Sequence, residues 1–550
     1  MPHIIQRCLL SYLTTAVLLV QGCATPRDLS LVERASGGMQ IDLPATSRLS
    51  TAEICHALRY HVLDFNKHGQ LEFPQTNFDC FKDTSDYRNQ CENQEIANPQ
   101  QITPDQRLAC QLNAIRDNIE AGRADGQPYD HIVLVVHGGL VAEDEGLREA
   151  ITATRAMTAD TDGDGHYYPI FVVWRSGALP AYGEQATRME QGKRSATFAR
   201  VVAPLTIASD LARGVVREPR FGASEGVRLW NSTLLHKLTL GDGKFHCRDM
   251  QRHMLANRSE DTRPGDRPFK VVCPAVDEAD DSILTQGFKT SAYVLSTPLR
   301  MVTTPILLGP GQSAWENMQR RARNLVWRDS DKRDQALPDS APPAVVEGGL
   351  QVMFRDLLMP LTAHRDGPPE RCKLTLIGHS MGAIVITEML RLHADLEFDN
   401  MVLMGAAVDM RGFIYAVRAS QAVSNAQAYV YNLSLHPDNE VFEASGGGSM
   451  PSGSLLQWID EAYETPPTQL DRVLGKWTNL PALERTIPAR IAPKLSFKMF
   501  GFDDGEPQTH GAFNDLGMCY WRKSFWDGTP WPTHRSRCRA LINTLDGAAP

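Results

Sequence analysis

The chain has 550 residues, 42 % hydrophobic and 22 % charged, with a formal net charge of −9. That length supports one large core with insertions or roughly two to three modest domains, and the composition is ordinary for a globular chain. A mildly acidic balance excludes the clustered positive surface that broad nucleic-acid binding needs; the one basic cluster, "RRARNLVWRDSDKRD" from Arg320, is interleaved with Asp329, Asp331 and Asp334 and reads as a solvated, salt-bridged face.

At the N-terminus, "MPHIIQRCLLSYLTTAVLLVQGC" places Arg7 before an apolar stretch over 8–20. The stretch is too short for a finished membrane helix and fits the apolar region of a signal peptide spanning 1–22. Its end, "LVQGC", resembles the bacterial lipobox, in which the cysteine, here Cys23, is acylated and becomes the new N-terminus. Ala24 in the sorting position then implies the outer membrane. The expectation is a body facing the periplasm on a lipid tether. The best later apolar run, "AYVLSTPLRMVTTPILL" from Ala292, carries Arg300 and two prolines and is not a membrane helix.

Export makes the cysteines candidates for disulfides. Of eleven, setting aside Cys8 and Cys23 leaves nine, and none forms a close pair with metal-ligand spacing, so no metal is expected. Proximity in sequence suggests Cys80 with Cys91, Cys55 with Cys110, Cys247 with Cys273 and Cys519 with Cys538. Cys372 is left as a buried thiol before an apolar strand.

Residues 23–127 read as a polar, cysteine-bearing extension with a short helix around 108–121. From Asp130 the character changes. "HIVLVVHGG" is a β-branched apolar run bounded by glycines, a fully buried strand. A helix, "EGLREAITATRAMTA", and a second buried strand, "YPIFVVW", follow. The alternation resumes with "CKLTLIG" (strand), "GAIVITEMLRLHA" (helix), "NMVLMGAAV" (strand), "GFIYAVRASQAV" (helix), "AQAYVYNLS" (strand) and "KLSFKMFGF" (strand). Such βαβ units predict an α/β core with a mostly parallel sheet and helices on both faces, formed by 128–177 and 346–550. Residues 178–345 form a long insertion with helices near 196–216 and 314–327, placed to act as a cap. "DTDGDG" from Asp160 has the first half of a calcium loop, but position twelve would be Phe171 in a buried strand, so it reads as an acidic turn.

The chemistry centres on "GHSMG". A strand that turns straight into a helix crowds its backbone, and Gly378 and Gly382 relieve that crowding. Ser380 sits at the tip near a helix N-terminus. A serine hydroxyl needs a base and a group to orient it. His510, in "GEPQTHGAFND" after the last strand, is the choice. His393 lies on the helix after the turn, His436 sits beside the acid candidates and His534 falls in the tail. Asp438, beyond the strand "AQAYVYNLS", is the preferred acid, with Asp409 the main competitor and Glu440 a third. Oxyanion donors are expected from the backbone of Met381 and from Gly138 and Gly139 in "VVHGGLV".

These motifs, in this order, resemble those of the α/β-hydrolases of the esterase and lipase type over about 130–177 and 346–530. "HGAFND" and "YWRKSFW" further resemble a bacterial group of serine hydrolases lacking a settled substrate. The resemblance implies ester hydrolysis through an acyl-enzyme on Ser380, with no metal or organic cofactor. Lipid or acyl-chain esters are expected substrates, from the apolar pieces "VVAPLTIASDLARGVV" and "AYVLSTPLRMVTTPILLG". The same fold hosts other roles, and two remain open: a non-catalytic envelope scaffold or binding lipoprotein, and an acyltransferase using the same triad.

Overall fold

The structure, a computed structural model, describes residues 49–74, 80–81, 103–124, 129–139, 141, 143–161, 166–177, 181–183, 186, 205–217, 247, 269–275, 297–329, 345–363, 371–425, 427–443, 453–464, 466–483 and 486–545. The leader, Cys23, Cys91 and the remainder of the acidic turn after 161 lie outside these residues.

In chain order the elements are α1 (Thr51–Tyr60), β1 (Val62–Phe65), β2 (Leu71–Glu72), α2 (Pro104–Ala124), β3 (Tyr129–Val136), α3 (Glu143–Ala159) and β4 (His166–Trp174). In the insertion come α4 (205–217), β5 (Lys270–Val272), the long α5 (Thr297–Val326) and a small hairpin of β6 (Trp327–Asp329) and β7 (Val345–Glu347). Then follow β8 (Lys373–His379), α6 (Gly382–Leu392), β9 (Asn400–Met404), α7 (Met410–Ala419), β10 (Tyr429–Leu435), α8 (Pro437–Phe442), β11 (Leu495–Phe500) and α9 (Trp531–Leu545).

Nine strands form one sheet in the order β2-β1-β4-β3-β8-β9-β10-β11-β5. Every neighbouring pair is parallel except the edge pair β1 and β2. The chain is thus an α/β protein with a mostly parallel sheet. Both faces are covered, as continuous apolar strands require. Along β3, Ile132, Leu134 and Val136 enter one core cluster while Val133 and Val135 enter the other. β9 divides in the same way, with Met401 and Leu403 on one face and Val402 and Met404 on the other. His131 is the buried polar residue within β3, and its Nε2 meets Thr375 Oγ1 of β8 at 2.8 Å.

Although the sequence divides the chain at residue 127, β1 and β2 belong to this same sheet, and β5 adds a strand from the insertion at its opposite edge. The insertion helix expected near 314–327 is the second half of α5, which begins at Thr297 within the apolar run. No described helix is long and apolar enough to cross a membrane.

Two of the expected cysteine pairings are corrected. Cys55 bonds Cys80, with Cα atoms 5.0 Å apart, so neither Cys55 with Cys110 nor Cys80 with Cys91 forms. The return of the chain through β1 and β2 brings residue 80 back to α1, where the Cys80 carbonyl also accepts Arg59 Nε–H at 2.6 Å. Spacing along the sequence carries no trace of that return. Cys247 with Cys273 and Cys519 with Cys538 pair as expected. Cys372 is buried and outside any disulfide, with Arg123 Nη2 at 2.8 Å from its Sγ.

Candidate active site

The strand order fixes where a site belongs. From β3 the chain passes to β4 on one side, and from β8 it passes through α6 to β9 on the other. Where the order reverses, the loops leaving β3 and β8 diverge and open a crevice outside the carboxyl ends of the strands. Both sequence motifs with catalytic character, "VVHGGLV" and "GHSMG", fall at those two strand ends.

Ser380 follows β8 directly and has φ 51°, a left-handed conformation costly for a residue with a Cβ. The surroundings hold it there. Its N–H donates to Met404 O at 2.9 Å, and its carbonyl accepts from Ala407 N–H at 3.0 Å and Ala383 N–H at 3.2 Å. The flanking glycines are required by close approach. A Cβ on Gly382 would lie 2.1 Å from the carbonyl oxygen of Val136, and one on Gly378 would lie 2.9 Å from the Ala383 nitrogen. The first turn of α6 therefore rests on the end of β3.

The loop after β3 touches the serine. A Cβ on Gly138 would lie 2.9 Å from Ser380 Cβ, and one on Gly139 would lie 2.4 Å from Met381 Sδ. His137 fixes the peptide between the two glycines. Its Nε2 accepts Trp174 N–H at 3.0 Å, so its proton is on Nδ1, which donates to Gly138 O at 2.6 Å. Ser176 Oγ donates to the same carbonyl at 3.1 Å. In a trans peptide N–H and C=O point in opposite directions, so the Gly139 N–H is aimed away from both donors. Among the described residues, neither that N–H nor the Met381 N–H is taken up by a hydrogen bond.

His510 opens a short helical turn, His510–Asn514, beyond β11. Its ring lies against Gly405, where a Cβ would fall 2.8 Å from Cε1 and 2.9 Å from Nδ1. Gly405, at φ 49°, follows Met404, the residue whose carbonyl takes the Ser380 N–H. The imidazole thereby lies at the same strand end as the serine, and no hydrogen bond links the two. Ser380 Oγ and both ring nitrogens of His510 are buried and make no hydrogen bond. Burial, with the neighbouring His379 ring, holds the His510 pKa well below the usual histidine value. His379 and His137 are each pushed down to about 4, chiefly by burial. All three rings are neutral near pH 7, the form a base must have.

The other histidines have separate roles. His534 Nδ1 meets Ser524 Oγ and its Nε2 meets Met518 O, both at 2.7 Å. His393 ends α6, and His436 Nδ1 accepts the Asp438 N–H at 3.1 Å.

Neither preferred acid makes a hydrogen bond to His510. Asp438 Oδ2 lies 3.9 Å from His436 Nδ1 on its own loop. Asp409 caps α7, its Oδ1 accepting Gly412 N–H at 2.7 Å. Glu440 is buried and accepts Ser454 Oγ–H at 2.7 Å, with its pKa pushed up to about 7 by burial. The carboxylate that reaches residue 510 is one the sequence reading did not consider: Glu443 Oε2 accepts the His510 N–H at 3.0 Å. Its position just before "ASGGGSM" was the available signal.

The acidic turn after α3 is structural at its first residue. Asp160 is buried, with both oxygens on Arg522 (2.5 and 2.6 Å) and Oδ2 also on Trp521 Nε1–H at 2.8 Å. Compared with family models, with curated proteins and with solved structures, the chain matches none.

Proposed function

We propose that the protein is a serine hydrolase of the α/β-hydrolase type, cleaving carboxylic esters through an acyl-enzyme on Ser380. One observation carries the reading: a serine with φ 51° at the strand order's reversal point, its hydroxyl unpaired beside an equally unpaired, neutral histidine ring. Strain of that kind persists where the surroundings over-determine it, and it collects at active sites. In the mechanism, Oγ attacks the ester carbonyl as its proton passes to His510 Nε2. The carbonyl electron pair moves onto oxygen, where the Met381 and Gly139 N–H groups receive it. Collapse expels the alcohol, protonated by His510, and water repeats the sequence on the acyl-enzyme.

Apolar acyl or lipid esters are the favoured substrates. α4 supports this, because Leu205, Val215 and Val216 are among the most exposed large apolar side chains, while Asp210 and Gly214 face inward. A bacterial envelope location, with a lipid on Cys23 as the anchor, completes the proposal.

A fluorophosphonate probe tests it: labelling of the folded chain at Ser380, lost in Ser380→Ala, is the expected result. A folded chain that takes no label would instead be the envelope scaffold or binding lipoprotein. An added alcohol that diverts the acyl group from water would mark an acyltransferase.

A further inference from the structure

We propose that Glu443, not an aspartate, is the positioning carboxylate that orients His510 and balances its charge; this rests on the serine-hydrolase reading above. Residue 510 is gripped at both ends of its backbone. Its N–H donates to Glu443 Oε2, and its carbonyl accepts Nε2–H of His379, each at 3.0 Å. The unpaired Nδ1 of His510 lies only a few covalent bonds from that backbone nitrogen, so a carboxylate seated on the N–H is already on the correct side of the residue. Small side-chain rotations bring Nδ1–H onto the same carboxylate. Catalytic hydrogen bonds of this kind are commonly loose in a free enzyme and tighten with substrate.

Glu443 is itself held in place. Its N–H donates to Asn439 O at 3.0 Å, closing α8, and its carbonyl accepts Gly453 N–H at 3.0 Å. The carboxylate therefore sits at a fixed loop end after β10, and the chain order Ser380, Glu443, His510 is the order nucleophile, acid, base. The rivals are committed elsewhere: Asp438 toward His436, Asp409 to the cap of α7, and Glu440 to Ser454. The titratable groups touching residue 510 are Glu443, on its backbone N–H and with a pKa raised by burial, and His379, whose ring centroid is 5.0 Å from its own, with His137 adjoining His379. When Nε2 takes the serine proton, Glu443 is, among the described residues, the carboxylate hydrogen-bonded to residue 510 and so placed to hold the imidazolium.

The test compares full-length wild type with Glu443→Gln, Glu443→Asp, Asp438→Asn and Asp409→Asn. It follows the fluorophosphonate labelling rate from about pH 4 to 9 and titrates the His510 ring by NMR. Glutamine keeps the shape and can still accept the backbone N–H, but it cannot balance an imidazolium. Glu443→Gln should slow labelling on the order of 10³-fold and lower the His510 pKa, moving the acid limb of the rate profile to lower pH. Glu443→Asp should recover part of the rate, and the two aspartate variants should stay within a few-fold of wild type. An unchanged His510 pKa in Glu443→Gln, or a larger loss in Asp438→Asn, would overturn the proposal. Absence of labelling in folded wild type would defeat the hydrolase reading instead, and the ring titration would still decide whether Glu443 is the partner.

Discussion

Asp160, at the end of α3, and Ser380, at the end of β8, are both buried polar residues, and they are treated in opposite ways. Asp160 lies directly after α3, and both of its oxygens are taken by Arg522 and Trp521. Ser380 lies where the chain leaves β8, with its hydroxyl unpaired, and the His510 ring that packs on Gly405 at the same strand end is unpaired too. Burying a polar group without a partner costs about 1–3 kcal/mol. A fold that satisfies one residue and leaves the other open has concentrated that cost where the backbone is also strained. The first cluster is what stability needs, and the second is what a reaction needs.

The comparison breaks most decisively at Ser380. Replacing it with alanine removes the proposed nucleophile and nothing that holds the turn, whose hydrogen bonds are all backbone. Labelling and ester turnover should fall by about 10⁴-fold or more, while the urea midpoint changes little. A midpoint that collapses would assign Ser380 to structure.

Asp160→Asn should do the reverse. It leaves the Arg522 guanidinium, with only 5 % of its side chain exposed, facing a neutral amide. Breaking a buried pair from one side costs about 3–5 kcal/mol, visible as a lower Tm. The labelling rate of the molecules still folded should be that of wild type, since Asp160 touches none of the site.

Gly405→Ala falls between the two. Its φ of 49° costs a residue with a Cβ about 1–2 kcal/mol, and the new methyl would press on Cε1 and Nδ1 of His510. Displacing the base by a fraction of an ångström to an ångström should slow labelling by about 10²-fold. The rate should thus suffer more than the stability. Equal losses would mean that Gly405 serves only its own turn.

How these residues were legible differs, and for physical reasons. The six long buried strands stand out because both faces are apolar, and the "GHSMG" turn stands out because glycine is forced by backbone contact on either side of it. β1, β2 and β5 did not, since runs of four, two and three residues carry no readable period. His510 could be chosen from its place after the last strand. Glu443 was marked only by its place before "ASGGGSM", because its proposed role comes from a hydrogen bond to a backbone N–H, and that depends on where α8 stops. Asp438 has the expected spacing, but a carboxylate in the first turn of α8 is directed to His436 on the same loop.

The smallest effect is a matter of opposed signs. His61 is held near a pKa of about 3 and His137, His379 and His534 near about 4, all chiefly by burial. Below the unfolded value of 6.5 the unfolded chain takes up protons that these folded rings refuse, so each removes about 1.4 kcal/mol of stability per pH unit as the pH falls. Glu149, Glu440 and Glu506 are pushed up to about 7, again chiefly by burial. Between the unfolded value of 4.5 and about 7 they keep protons that the unfolded chain has lost, so their contribution grows as the pH falls through that window. From 6.5 to 4.5 the two sets oppose each other and the urea midpoint should move little. Below 4.5 these three carboxyls are protonated in both states, while the histidines, joined by carboxyls held low such as Asp471 (about 2, from its bond to Arg411), refuse protons, so the midpoint should drop steeply toward pH 4. Replacing His534, which bonds Ser524 and Met518 away from the site, with glutamine should flatten that drop without touching the labelling rate. A drop unchanged in that variant would shift the acid sensitivity to the other depressed rings, among them His510 and the two, His137 and His379, that lie at the ends of β3 and β8.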